Sequence, residues 1–160
     1  MSAGRWFEIA TDAAAAAEHF ARSVDLFRAG GFADDSLDGY RARMALMHAM
    51  QSGHTSLESA LVRVLRLIGE DVPTGGDWHA DLIRRAASIV AGRPAILPED
   101  AARAANETRR FRHVAMRSYG SFDATLAEPS VRAAELLAGT FPAAIAAFRR
   151  VIDPPTGQGR

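Results

Sequence analysis

The sequence contains no cysteine and no lysine among its 160 residues. Without cysteine, disulfide scaffolds, thiol catalysis and thiolate zinc sites are excluded. All 19 basic side chains other than histidine are therefore arginine, and 19 acidic side chains balance them to a net charge of zero. Because a neutral chain has no overall field that attracts anions, a function in anion binding must come from a local cluster of arginines.

Motifs for several kinds of chemistry are also missing. No G-x-S-x-G nucleophile turn and no glycine-rich phosphate loop occurs, so serine hydrolases and nucleotide-binding loops of these types are not indicated. A di-metal carboxylate bundle needs Glu-x-x-His pairs on facing helices, and the sequence has none. The five histidines are dispersed along the chain. We therefore predict neither a metal site nor a cofactor.

The N-terminal segment lacks the basic flank and apolar run of a signal peptide. Acidic residues, Asp12 and Glu18, bracket the alanine run 13–17. We therefore expect no signal peptide and no membrane span, and a cytoplasmic location by default.

The pattern of apolar residues favours an all-α fold. Helical spacing recurs along the chain, whereas sustained strand alternation and hairpin dipeptides do not occur. The length suits one domain. We predict an antiparallel helical bundle of about five helices over residues 1–153, followed by a disordered tail over residues 154–160.

Glycine and polar residues mark the first two helices. The first is predicted from about Trp6 to Ala29, ending at Gly30. The second is predicted to begin near Ser36 after an acidic pair, with a kink at Gly53. Its amphipathic stripe repeats in steps of three and four and comprises Leu37, Tyr40, Met44, Met47, Leu61, Leu65 and Ile68.

Three more helices follow. Asp77 is a candidate N-cap for a third helix running from Trp78 to about Val90. Pro98 suits the first turn of a fourth helix. A last helix is predicted to start near Ser130 and to be broken or kinked at Pro142.

Two residue pairs in the first half of the chain are candidates for a specific structural or functional role. His54 and Glu58 are four residues apart and share a helix face, as an ion pair at the surface or in the interior, or as the lining of a polar pocket or subunit contact. Trp78 and His79 follow a glycine-rich turn and are interpreted as an anchored helix start, with Trp78 as the buried element.

The segment 109–120 contains four arginines, a histidine and a tyrosine without an acidic residue. Guanidinium groups match phosphate oxygens in a planar, bidentate way. At helical spacing Arg109, His113 and Arg117 share one face, while Arg112 and Tyr119 share another. We predict that the segment, with Arg109 and Arg110, binds phosphate or RNA; the alternative is a solvated helix end with Tyr119 packed on the core.

The run from Arg112 to Tyr119 resembles the signature of HepT-like proteins, which are helical-bundle members of the HEPN superfamily. That signature is an arginine, a polar residue, three variable positions, a histidine, one variable position and a tyrosine. The resemblance extends from about Tyr40 onward and includes residues 47–82 with their Trp-His segment. Arg112 matches the arginine, His113 the polar position and Tyr119 the tyrosine.

The resemblance implies the toxin of a toxin–antitoxin module. Family members are metal-independent ribonucleases whose site forms at a homodimer interface. Their partner is a small nucleotidyltransferase antitoxin that adenylylates the motif tyrosine, here Tyr119, and thereby silences the toxin.

One motif position departs from the signature, because Arg117 stands where the family has histidine. Histidine titrates near neutrality and can move protons, whereas arginine stays protonated and can only stabilise an anionic centre. Of the catalytic candidates Arg112, His113 and Arg117, only His113 can act as a base, and it lies too close to Arg112 to fill the family spacing. The ribonuclease hypothesis therefore stands beside a second one, a non-catalytic binding or adaptor protein that retains only the phosphate-binding surface.

Overall fold

The structure is a computed structural model that describes residues 2–115, with side chains as far as Phe111, and residues 122–155. Within these ranges it contains five α-helices packed against one another and no β-strand, which confirms the predicted all-α fold. The helices are α1 (Ala3–Ala29), α2 (Leu37–Leu67), α3 (Trp78–Ala86), α4 (Glu99–Ala115) and α5 (Ala124–Ile152).

Helix α1 lies against both α2 and α5, and α4 covers another side of α5. Contacts at the helix ends show that the neighbours of α1 run antiparallel to it. Arg63 near the end of α2 donates to Asp12 near the start of α1 at 2.8 Å. Trp6 in the first turn of α1 donates its indole N–H to Asp153, just after α5, at 2.7 Å. The short α3 packs against α2 and α4.

The connection between α1 and α2 follows the sequence prediction. Helix α1 ends at Gly30, whose φ of 69° is in the left-handed region that glycine tolerates best. Helix α2 begins directly after Ser36. Both predicted boundaries are confirmed.

The predicted apolar stripe of α2 is only half correct. Leu61 and Leu65 are fully buried, but its N-terminal members Leu37, Tyr40 and Met44 are exposed. In this part of α2 the buried positions lie one step away, at Leu46 for example, because that is the side facing α1 and the core. Apolar spacing located the helix correctly but assigned the wrong side of its first turns to the interior.

Gly53 does not break α2, which runs through it without interruption. Its role is close packing. A Cβ atom at this position would lie 2.6 Å from Cδ1 of the Phe20 ring on α1. The missing side chain therefore lets α1 and α2 approach each other at a fully buried aromatic ring.

Two other predicted boundaries are corrected. Helix α3 ends at Ala86 rather than near Val90, because the Ala86 carbonyl accepts N–H groups from Ile96 and Leu97, which turn back towards it. The last helix begins at Ala124 rather than near Ser130. Pro98, as expected, immediately precedes α4, and its carbonyl accepts the N–H of Ala102.

Helix α5 also continues through Pro142, where a break or kink was predicted. A proline inside a helix removes one backbone hydrogen bond. Here the flanking Phe141 and Ile145 are buried in the core, and their packing holds the helix together around the proline. At the N-terminus Asp123 caps the helix by accepting the Thr125 N–H at 2.9 Å.

By length and composition, α5 is the one helix in the described ranges that could cross a membrane, and 39% of its most apolar window is buried within the protein. A core helix of a bundle has the same length and composition, so this property is weak support for a membrane span.

An arginine–glutamate cluster fixes the position of α3. Arg93, after α3, and Arg85, within it, both donate to the carboxylate of Glu70, which lies just before α3. Arg93 donates Nε and Nη2 to the two carboxylate oxygens at 2.5 and 3.0 Å, the bidentate geometry of strong pairs. The hydrogen bond from Arg93 outweighs partial burial and lowers the pKa of Glu70 below its ordinary value.

Replacement of Gly53 by alanine should destabilise the protein by about 1–3 kcal/mol, because the new methyl group must displace the Phe20 ring from a packed core. Gly139→Ala on α5 is the matched control, since nothing lies within 4 Å of its Cβ position. That change should be neutral or stabilising by up to about 1 kcal/mol. Urea unfolding of both variants checks this; equal stabilities would contradict the packing role of Gly53.

Candidate functional site

Helices α2, α3 and α4 enclose an open cavity of about 510 Å³. Its volume is within the range of about 300–1,000 Å³ that is typical of small-molecule sites. Most of the lining side chains that come from α2 and from the start of α3 are polar. They are Met50, Gln51, His54, Thr55 and Glu58 from α2, Asp77, Trp78, His79 and Ala80 at α3, and Thr108, Arg109 and Phe111 from α4.

Glu58 is a buried charge that lines this cavity, with a side chain only 9% exposed. His79 of α3 donates Nδ1–H to its Oε2 at 2.5 Å, and His54 Nε2 lies 3.6 Å from the same oxygen. Burial alone would raise the pKa of the Glu58 carboxyl, but the nearby His54 and the hydrogen bond from His79 outweigh burial and lower the pKa below its ordinary value. Glu58 is therefore ionised at neutral pH.

His54 is the inner histidine, with a side chain 12% exposed. Its Nδ1 lies 2.9 Å from the Thr108 hydroxyl, which itself donates to the Ala105 carbonyl. A hydroxyl has one proton to donate, so Thr108 must accept the Nδ1–H of His54. The remaining nitrogen, Nε2, is buried and has no hydrogen-bond partner among the described residues.

His79 is the outer histidine, with a side chain 44% exposed. An ionised carboxylate can only accept, so the Glu58 bond requires the proton on Nδ1 and leaves Nε2 with a lone pair when the ring is neutral. The Trp78 ring stacks on the His79 ring at a centroid distance of 3.7 Å. Both the hydrogen bond and the stacking fix the orientation of this imidazole.

Arg109 brings a positive charge to the same cavity. Its Nε donates to Asn106 at 3.3 Å, and none of the carboxylates that the structure describes forms an ion pair with it. Arg110 differs, because it is exposed, pairs with Glu107 at 3.2 Å and does not line the cavity. Of the two arginines predicted to bind phosphate, only Arg109 faces the histidines.

The other predicted site residues follow on α4 and beyond. Arg112 and His113 belong to the last turns of α4, and the Arg112 backbone lies one helical turn after Thr108. Arg117 and Tyr119 lie outside the described residues. His54 and Glu58, which the sequence analysis paired as an ion pair or as pocket lining, both line the cavity.

His79 was not predicted as a site residue. The sequence interpretation took Trp78-His79 as a helix start with a buried tryptophan; α3 does begin at Trp78, but this side chain is only partly buried. The contact that gives His79 its role joins residues 21 positions apart. Helical spacing cannot reveal such a contact, although a polar pair on α2 followed by a second histidine is a signal to look for one.

This arrangement combines groups with different chemical abilities. A carboxylate-supported imidazole with an available nitrogen can accept or donate a proton. An arginine without a carboxylate partner can bind a phosphate oxygen. Within the described part of the chain, no group of three or more histidine, aspartate or glutamate side chains has the arrangement of a metal site.

Glu58→Gln should reduce the free energy of unfolding at neutral pH, because His79 loses its charged acceptor and His54 loses a neighbouring negative charge. Since the folded-state pKa of Glu58 is below the ordinary value of 4.5, its contribution is complete above that pH and is lost as the pH falls through the folded-state pKa. Urea unfolding of wild type and variant should therefore show a gap at neutral pH that narrows in acid.

Glu18→Gln is the control, since Glu18 is exposed and its pair with Arg22 is a surface pair within one helix. This variant should track the wild type closely at every pH. A gap for Glu58→Gln that stays constant into acid would contradict the lowered pKa.

Comparison with known proteins agrees with the family resemblance described above. A family model described as HepT-like protein matches residues 45–152, which include every residue that lines the cavity. No curated protein and no solved structure matches the chain. Because the matched span is well over half of the sequence, this chain belongs to the HepT-like protein family.

Proposed function

We propose that this HepT-like protein is the toxin component of a toxin–antitoxin module, or a degenerate homologue of one, and that it binds RNA or nucleotide phosphate in the cytoplasm. It acts as a homodimer, and its partner is a small nucleotidyltransferase that adenylylates Tyr119. Membership of the family supports the relation to such toxins.

The position of Arg109 carries the phosphate-binding part of the proposal. Arg109 lines the same cavity as His54 and His79 and has no carboxylate partner in the described ranges, so its charge is available for a ligand. Arg112, the motif arginine, follows on the same helix three residues later.

Arg117 favours a second candidate, a non-catalytic binding or adaptor protein. With arginine at the motif histidine position, the signature itself supplies no group there that can accept a proton. An adaptor of this kind should bind nucleic acid with an affinity that falls steeply with salt and does not change in Tyr119→Phe.

Arg109→Gln should weaken binding of a fluorescent single-stranded RNA about tenfold or more, since hydrogen bonds to charged groups contribute about 1.5–3 kcal/mol. Arg103→Gln is the matched control on the same helix, because Arg103 is exposed and paired with Glu99. Fluorescence anisotropy at low and physiological salt measures both. Equal affinities for the two variants would contradict phosphate binding in the cavity.

Co-expression with a nucleotidyltransferase encoded next to this chain should raise its intact mass by one or more adenylyl units. The gain should be absent in Tyr119→Phe and retained in Tyr40→Phe, which removes the only other tyrosine, an exposed residue on α2. Intact-mass spectrometry gives the result. A gain that persists in Tyr119→Phe would exclude this tyrosine, and no gain in the wild type would reject this mode of regulation.

A further inference from the structure

We propose that His79, oriented by Glu58, is the general base of a metal-independent cleavage of single-stranded RNA in the cavity between α2, α3 and α4. The inference rests on the proposed RNA-binding function and adds the group that the altered motif lacks. It assigns the proton-transfer role to α3, outside the motif segment.

His79 has the geometry expected of a general base. Its Nδ1 is held by the buried carboxylate of Glu58 at 2.5 Å, which leaves Nε2 as the nitrogen that can accept a proton. No described residue forms a hydrogen bond with Nε2, and with a side chain 44% exposed the ring is accessible to a ligand. A carboxylate behind an imidazole fixes its tautomer and stabilises the imidazolium that forms.

The surroundings supply the other requirements of the reaction. Arg109 lines the same cavity and can neutralise charge on a phosphorus centre. The charged or titratable groups that line the cavity with His79 are His54 and Glu58 from α2, Asp77 at the start of α3 and Arg109 from α4. Single-stranded RNA is the substrate class, because the bases of an unpaired nucleotide are free to enter a cavity between helices.

The step balances without a metal or a redox partner. Nε2 of His79 removes the proton of the ribose 2′-hydroxyl, and the 2′-oxygen forms a bond to the adjacent phosphorus. The bond from phosphorus to the 5′-oxygen breaks, and this oxygen takes a proton from water. The products are a 2′,3′-cyclic phosphate and a 5′-hydroxyl, and the hydroxide left by the water neutralises the proton on His79.

Glu58 is a positioning residue in this scheme, because it acts through His79 and not on the RNA. Its removal should therefore change the pH dependence of cleavage as well as its rate. In Glu58→Gln the imidazolium loses its negative partner, so the acid limb of the pH–rate profile should move to lower pH. A purely structural role would lower the rate without moving the profile.

The test uses the purified full-length chain, a short single-stranded RNA with a 5′ fluorophore, and a chelator in the buffer. His79→Gln should reduce the cleavage rate about 100-fold or more, the usual contribution of general acid–base catalysis. His48→Gln is the matched control, an exposed histidine on α2 that does not line the cavity. Circular dichroism and anisotropy with an all-2′-deoxy oligonucleotide show whether each variant folds and binds.

The outcomes separate this inference from the function on which it rests. Loss of cleavage in His79→Gln with binding retained, a shifted profile in Glu58→Gln and normal cleavage in His48→Gln would support it. Cleavage that survives in His79→Gln, or is lost instead in His113→Ala, would overturn it and leave the RNA-binding function standing. Binding by the wild type without cleavage would also overturn it, in favour of the adaptor function. Absence of wild-type binding would reject both.

Discussion

The site depends on the contacts of one buried group, the carboxylate of Glu58. A negative charge in a protein interior is costly unless it is paired and hydrogen-bonded. Glu58 accepts a hydrogen bond from His79 of α3 and lies 3.6 Å from His54 of its own helix, which is in turn hydrogen-bonded to Thr108 of α4. Contacts that start from this one ionised group thus link the three helices around the cavity. The same hydrogen bonds determine which ring nitrogen of each histidine carries the proton.

The rest of the fold keeps these helices in place. Gly53 lets α2 pack closely on α1 at the Phe20 ring, which fixes the helix that carries His54 and Glu58. On the other side of the cavity, the Glu70 carboxylate ties the segments before and after α3 together through Arg93, so that His79 approaches α2 in one position. The contact between His79 and Glu58 therefore depends on the contacts that hold α3 in place, because a displaced α3 would separate the two side chains.

Local sequence patterns predicted the helices but not the contacts between them. The end of α1 at Gly30 and the start of α2 after Ser36 followed from residue preferences that act over a few positions. Continuation of α5 through Pro142 and the partnership of His79 with Glu58 depend on packing between distant segments, which such preferences do not contain. The pairing of His54 with Glu58 could be predicted because both residues lie on one helix. The contact of His79 with Glu58 could not, because it joins two helices and is seen only in the tertiary structure.

The central claim is that Glu58 is ionised in the folded protein and holds His79 with its proton on Nδ1. Long-range proton–nitrogen correlation spectra of protein labelled with ¹⁵N in its histidines measure this directly, and His79→Gln identifies the signal. Neutral His79 should carry its proton on Nδ1 with Nε2 unprotonated, and Glu58→Leu, which removes the acceptor, should abolish that preference. A wild-type signal with the proton on Nε2 would contradict the account.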